Sequence, residues 1–211
     1  GLKPSMMDFT EEDFPAPEQI ACSLDALQVP STLYLAFEGC QEEVRGAVRR
    51  GLEVCRQWGA SPALRDQVHT FWESRHEIAY RWRERRAWGD AGHPLWGKME
   101  YLHVALPLSR VLDYRRQSLR LFSEAGISIQ ECGLWGQPEL FSIMVTLPQD
   151  AAPERVEGMV RSVEAALTHA QDMGGSMEYC HGVGVRLAHL MHRELGGESA
   201  LLKRLKESLD P

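Results

Sequence analysis

The residues best suited to chemistry lie near the C-terminus. There Tyr179-Cys180-His181-Gly182-Val183-Gly184 sets a phenol, a thiol and an imidazole beside two glycines. An imidazole titrates near neutrality and can take or give a proton, and glycines let a backbone approach a ligand closely. His181 to Gly184 falls where a strand is expected to turn into a helix, whose N-terminus favours anionic groups. A tight strand–helix turn needs the same glycines, so the tetrapeptide alone fits either role. Adjacent strand residues point to opposite faces, which argues against a Cys180–His181 nucleophile pair. His189 and His192, at i and i+3, could share a metal, but no HExxH or matching carboxylate accompanies them. An amphipathic-face role is expected for both. The upstream basic run of Arg75, His76, Arg81, Arg83, Arg85 and Arg86 reads as a solvated helix face. No GxGxxG, Walker loop, GxSxG or paired-carboxylate motif is present.

Composition narrows the classes. The 211 residues are 44% hydrophobic and 25% charged, typical of a globular protein able to bury a core. A net charge of -7 repels phosphate backbones, so no nucleic-acid partner is expected. Five cysteines without a CxxC spacing argue against a disulfide framework or a zinc ribbon. No apolar run approaches the ~18 residues of a membrane span and no signal peptide is visible, so a cytoplasmic location is expected.

The scaffold that must hold these residues is legible as alternating elements. A short strand is expected near residues 5–9, then a Pro-interrupted, acidic loop with one helical turn up to residue 31. Residues 32–38 read as a strand. Val44, Ala47, Val48, Leu52 and Cys55 form one helical face ending at Gly59. A helix over about 62–86 and a loop over 87–97 follow. Residues 99–106 form a strand closed by Pro107, and Ser109 can cap a helix carrying Val111, Leu112, Leu119 and Phe122 up to Gly126. Strands 127–134 and 140–147 are joined by Trp135-Gly136-Gln137-Pro138, a hairpin connection. Pro153 opens a helix with a stripe from Val156 to Ala170, and a strand over 177–180 closes the unit. Two helices, 183–195 and 199–209, end the chain.

That order is β-α-β-β-α-β. It predicts an α+β fold: a ferredoxin-like split βαβ antiparallel sheet with helices on one face, plus C-terminal helices. Residues 32–58 extend the same sheet. One domain covers 1–211, with the sheet unit over 30–180 and the helices over 181–211.

Several strings are similar to one family. Gly175 to Arg186 reads GSMEYCHGVGVR, Glu194-Leu195-Gly196 follows, and Leu201 to Pro211 reads LLKRLKESLDP. Together they resemble the end of FAD-linked oxidases, the group of D-lactate dehydrogenase, glycolate oxidase and alkyldihydroxyacetonephosphate synthase. Trp72-x-x-Arg75 resembles the family's WxxR, Val104 to Arg110 its VPLSR junction, and Leu33 to Gly39 its LLVEFEG strand.

The resemblance implies the substrate (cap) domain of a two-domain flavoenzyme, with FAD supplied by a domain missing from this chain. It implies oxidation of a small 2-hydroxy acid, with His181 as base and Gly182 and Gly184 beside the cofactor. Arg75 is the implied anchor of the substrate's acid group, and Arg186 could neutralise a phosphate. Tyr101 and Tyr179 are placed toward the same region by the strand register. The implied partners are a FAD-binding domain in cis or in trans, a small-molecule acid and, less directly, a second copy of the chain. Members that use a divalent metal carry a GHxGDGNxH segment and a Glu before HG. Here Leu134, Phe141 and Cys180 stand at those ligand positions, so no metal is expected. The alternatives are a synthase-like, non-redox flavin domain and a ferredoxin-like binding module without catalysis.

Overall fold

Alternation along one strand sets the architecture, because successive side chains of a strand leave by opposite faces. The computed structural model describes residues 2–77, 80 and 97–210. Strands β1 (Met6–Glu12), β2 (Ser31–Ala36), β3 (Met99–Ala105), β4 (Ser128–Trp135) and β5 (Leu140–Thr146) pair antiparallel, in the order β2-β1-β4-β5-β3. Leu102 and Val104 of β3, Ile143 and Val145 of β5, and Ile129 of β4 face one way into a buried cluster. Burying each such side chain stabilises the fold by about 1.5–3 kcal/mol.

That face is covered by α4 (Val111–Glu124) and α5 (Pro153–Asp172), through Leu119, Phe122, Met159, Val163 and Leu167. Tyr114 donates its hydroxyl hydrogen to the Ala166 carbonyl at 3.1 Å, so the two helices share a satisfied polar contact inside the core. Helix α1 (Pro17–Ser23) packs on α4 and buries Ile20. The α+β class and the single antiparallel sheet agree with the sequence reading.

Several elements depart from it. The strand expected over 177–180 is reduced to one bridge, Ala105 with Ser176, beside β3. Strand β1 runs on to Glu12 rather than stopping near Phe9, because it lies inside the sheet between β2 and β4. Its acidic residues are tolerated there partly because Glu11 accepts two hydrogen bonds from Arg115 of α4, at 2.6 and 2.8 Å. Ser109 caps nothing: a 3-10 turn over Leu108–Arg110 precedes α4, without a side-chain cap. The apolar stripe read on α2 (Gln41–Gln57) is partly turned outward, with Val48 42% and Leu52 36% exposed. Instead Gly51 is buried against Leu35 and Phe37. The helix expected over 183–195 is broken into α6 (Gly184–Leu187), a 3-10 turn and α7 (Met191–Leu195), followed by α8 (Glu198–Leu209).

Helix α3 (Arg65–Ser74) occupies the other face at the β2 edge, where Phe71 stacks on Tyr34 with ring centroids 3.7 Å apart. The expected continuation to residue 86, with Arg81, Arg83, Arg85 and Arg86, and most of the loop over 87–97 lie outside the described residues. No described helix is long and apolar enough to cross a membrane.

Candidate functional site

Register puts a set of polar and aromatic side chains on the sheet face opposite α4 and α5. Residues directly opposed in antiparallel strands share a face. His103 of β3 opposes Ser142 of β5, which opposes Gly133 of β4. Tyr101 opposes Met144, which opposes Glu131. Asp8 of β1 opposes Trp135 on one side and Tyr34 on the other. Trp135 is therefore the last residue of β4 and not part of the hairpin connection. Gly133 makes room for its indole: a Cβ there would stand 2.7 Å from the ring nitrogen.

The segment after α5 brings in the remaining groups. Ser176 exchanges two backbone hydrogen bonds with Ala105, and the Tyr179 N–H donates to the His103 carbonyl at 3.1 Å. Gly175 permits this approach, since a Cβ there would lie 2.4 Å from the Ala105 oxygen. Glu194 of α7 clamps the segment, accepting from Met177 N–H at 2.7 Å, Ser176 Oγ at 3.0 Å and Gln171 Nε2 at 3.0 Å. The Glu-Leu-Gly string that ends a helix thus also anchors the strand remnant leading to the His-Gly turn. Glu178 then accepts the backbone N–H groups of Cys180 (2.6 Å) and His181 (2.8 Å), which folds the chain into a turn. In that turn Cys180 Sγ lies 3.7 Å from His181 Nε2, so the pair excluded by strand geometry does meet. Burial and then Glu178 push the Cys180 thiol up, which keeps it protonated and a poor nucleophile.

Together these elements build an aromatic and acid–base cluster. The His103 ring lies 4.4 Å from Tyr101, 4.8 Å from His181, 5.5 Å from Tyr179 and 6.1 Å from Trp135, centroid to centroid. Its Nδ1 meets Ser142 Oγ at 2.8 Å, and that hydroxyl meets the Tyr179 hydroxyl at 3.0 Å. Tyr101 donates to Glu131 Oε1 at 2.5 Å.

Burial governs the titration of these groups. Desolvation, followed by the neighbouring His181, pushes His103 down to about 4, so the ring is neutral at physiological pH. Desolvation first, then Glu12, raises the Asp8 carboxyl, and desolvation also raises Glu131 and Tyr101. Three buried polar atoms of this face have no partner among the described residues: Asp8 Oδ1, His103 Nε2 and Trp135 Nε1. Each such atom costs about 1–3 kcal/mol unless something binds it.

Of the residues singled out from the sequence, Tyr101, Tyr179 and His181 are brought together here. Gly182 and Gly184 follow in the turn with φ of +74° and +50°, a left-handed backbone that favours glycine. Arg75 closes α3, donating to the Trp72 carbonyl and lying 3.8 Å from the Trp72 ring centre, so its contacts among the described residues stay on its own helix and away from the cluster. Arg186 pairs with the buried Glu100 carboxylate, whose position on β3 shares the parity of the core residues Leu102 and Val104. His189 pairs with Glu164 at 3.0 Å, and His192 meets the His189 carbonyl. Among the described residues no three His, Cys, Asp or Glu side chains are grouped to hold a metal.

Sequence reasoning missed His103, Ser142, Glu131, Trp135 and Asp8. The available signal was polar residues at alternate positions of strands, with Asp8, Tyr101 and His103 each opposite an apolar parity. A family model for FAD linked oxidases, C-terminal domain, matches residues 2–211. The open face, the clamp on the His-Gly turn and that match agree: this chain belongs to the family of C-terminal domains of FAD-linked oxidases.

Proposed function

We propose that the chain is the substrate-binding half of a FAD-dependent oxidoreductase acting on a small 2-hydroxy acid. A FAD-binding domain covers its open sheet face. The observation that carries this reading is the gathering of His103, His181, Tyr101 and Tyr179 on a face where three buried polar atoms are unpartnered among the described residues. Flat rings flanked by hydrogen-bonding atoms suit a flavin or a small hydroxylated ligand, so the residues present fit the cofactor that the family implies. When bound, FAD supplies the two-electron acceptor for oxidation of the substrate carbon.

The chain's own residues bind, orient and handle the proton. Tyr101 and Trp135 wall the site, and the Gly182–Gly184 turn lets the backbone come close to the ligand. An imidazole is the group able to take the hydroxyl proton, and this face offers two: the exposed His181 and, behind it, His103. Arg75, at the end of the helix that lies over the β2 edge of the same face, anchors the carboxylate; a guanidinium fork matches that group.

The test is a visible spectrum of the full-length flavoprotein before and after addition of D-lactate, glycolate and D-2-hydroxyglutarate. Bleaching of the flavin by one acid is expected. A bound flavin untouched by all three moves the assignment to non-redox flavin chemistry, and a full-length protein that binds no flavin ends the oxidoreductase reading.

A further inference from the structure

We propose that His103, Ser142 and Tyr179 form a proton relay that carries the ligand's hydroxyl proton from His103 Nε2 to solvent at Tyr179. The inference rests on the reading of this face as the site where a hydroxyl is deprotonated. It assigns the proton to the buried imidazole instead of His181.

Three observations converge on it. His103 is 2% exposed, and its Nε2 is buried without a partner among the described residues, so the atom is free to meet a ligand's donor. Its Nδ1 is engaged by Ser142 Oγ at 2.8 Å, and Ser142, fully buried, is engaged by the Tyr179 hydroxyl at 3.0 Å. Tyr179 is only partly buried, the most exposed of the three groups, and sits on the turn-bearing segment beside the edge strand β3. Each link is within hydrogen-bond reach, and each middle group is both donor and acceptor.

The transfer balances with the relay itself left neutral: the ligand's oxygen keeps the electron pair of its O–H bond, and the proton ends on water. Before it, Nδ1–H donates to Ser142 Oγ, the Ser142 hydroxyl donates to the Tyr179 oxygen, and Nε2 carries a lone pair. The ligand's proton joins Nε2, the Nδ1 proton passes to Ser142, the Ser142 proton passes to Tyr179, and the Tyr179 proton leaves to water. Afterwards Tyr179 donates to Ser142, Ser142 donates to Nδ1, and Nε2 bears the hydrogen. These are the two hydrogen-bond directions that the same distances allow, so no heavy atom need move. An imidazole that burial keeps neutral is a poor base when it must hold the proton, and a competent conduit when it gives one up as it takes one.

The experiment uses the full-length flavoprotein, with Ser142→Ala and Tyr179→Phe as variants. Long-range proton–nitrogen NMR of the histidine rings reads the hydrogen-bond chain independently of turnover. His103 is expected as a neutral ring protonated at Nδ1 at pH 7, and its nitrogen shifts are expected to move in Ser142→Ala. Stopped-flow flavin reduction by the acid found above reads the transfer. A loss of about 30-fold or more in each variant is expected, with the wild-type solvent deuterium isotope effect changed. Histidine nitrogen shifts untouched by Ser142→Ala overturn the relay. Full-rate reduction in both variants, with reduction abolished in His181→Gln, also overturns it and makes His181 the base. If no hydroxy acid reduces the wild-type flavin, the reading of the function falls, and the nitrogen shifts alone decide whether the relay exists.

Discussion

One sheet presents two faces that obey different rules, and neighbouring residues of β3 show both. Leu102 and Val104 point into a core covered by α4 and α5, where even the Tyr114 hydroxyl has found the Ala166 carbonyl. Tyr101 and His103, one position along, point to a face where buried atoms of Asp8, His103 and Trp135 lack partners among the described residues. The first face is chiefly apolar, although His169 Nε2 of α5 is also left without a partner among the described residues. The second leaves donors and acceptors that no described residue meets, which is how a protein stores binding capacity at a cost in stability. Substitutions on the two faces should therefore differ in size.

The covered face should give the largest loss. Phe122→Ala removes a fully buried ring from α4, and urea unfolding should show a loss of about 3–5 kcal/mol. A loss under about 1 kcal/mol would break the comparison at its firmer end.

On the open face, His103→Phe should change stability at pH 7 by no more than about 1 kcal/mol, because losing the unpartnered Nε2 offsets losing the Nδ1–Ser142 hydrogen bond. The pH dependence sharpens this. His103 is lowered from 6.5 to about 4 in the fold, so between those values the unfolded chain binds a proton that the folded chain refuses. Its contribution is fully present above about 6.5 and is lost as the pH falls toward 4, a change of about 3 kcal/mol. The wild-type-minus-variant difference in unfolding free energy, followed over that range, measures it. A flat difference would show that His103 is more hydrated than its burial implies.

Gly133→Ala tests the packing of the open face without touching its acid–base groups. The added Cβ would stand 2.7 Å from Trp135 Nε1 and 3.1 Å from the Phe9 carbonyl, so the indole must move. A cost of about 1–3 kcal/mol is expected, with a changed tryptophan emission spectrum. An unchanged spectrum would mean that the indole does not rest on Gly133 in solution.

How much of this was readable in the chain differs by face, for the same reason. The covered face is written in periodic apolar residues: the stripe from Val156 to Ala170 and the run from 99 to 106 give α5 and β3 nearly to the residue. The open face is written in pairs across long separations. His103 meets Ser142 39 positions away, and Ser142 meets Tyr179 a further 37 on, so no local spacing marks the triad. Asp8 sat in the short strand expected near residues 5–9 without a marked role, and the acids after it read as a loop, although Arg115 balances Glu11 and lets the strand continue. The strand expected over 177–180 failed because Glu178 turns the chain by binding its own next backbone N–H groups, and one carboxylate outweighs a short run of β-type residues. Only the turn itself, His181 to Gly184, announced its place through its glycines.

The smallest effect on folding belongs to Arg75, where the anchor expected from the WxxR resemblance meets a side chain seen only on its own helix. Its guanidinium lies over the Trp72 ring at 3.8 Å, a contact worth about 0.5–1 kcal/mol at an exposed site, so Arg75→Ala should barely shift the unfolding midpoint. Its effect on substrate should be of another order. A charge-assisted hydrogen bond to the carboxylate contributes about 1.5–3 kcal/mol, equivalent to a rise in KM of about 10- to 100-fold. Arg75→Lys should recover little of it, since an ammonium cannot reproduce the fork. A KM that stays at the wild-type value in Arg75→Ala would return Arg75 to the surface of α3, and the carboxylate would then need another cation of the full-length protein.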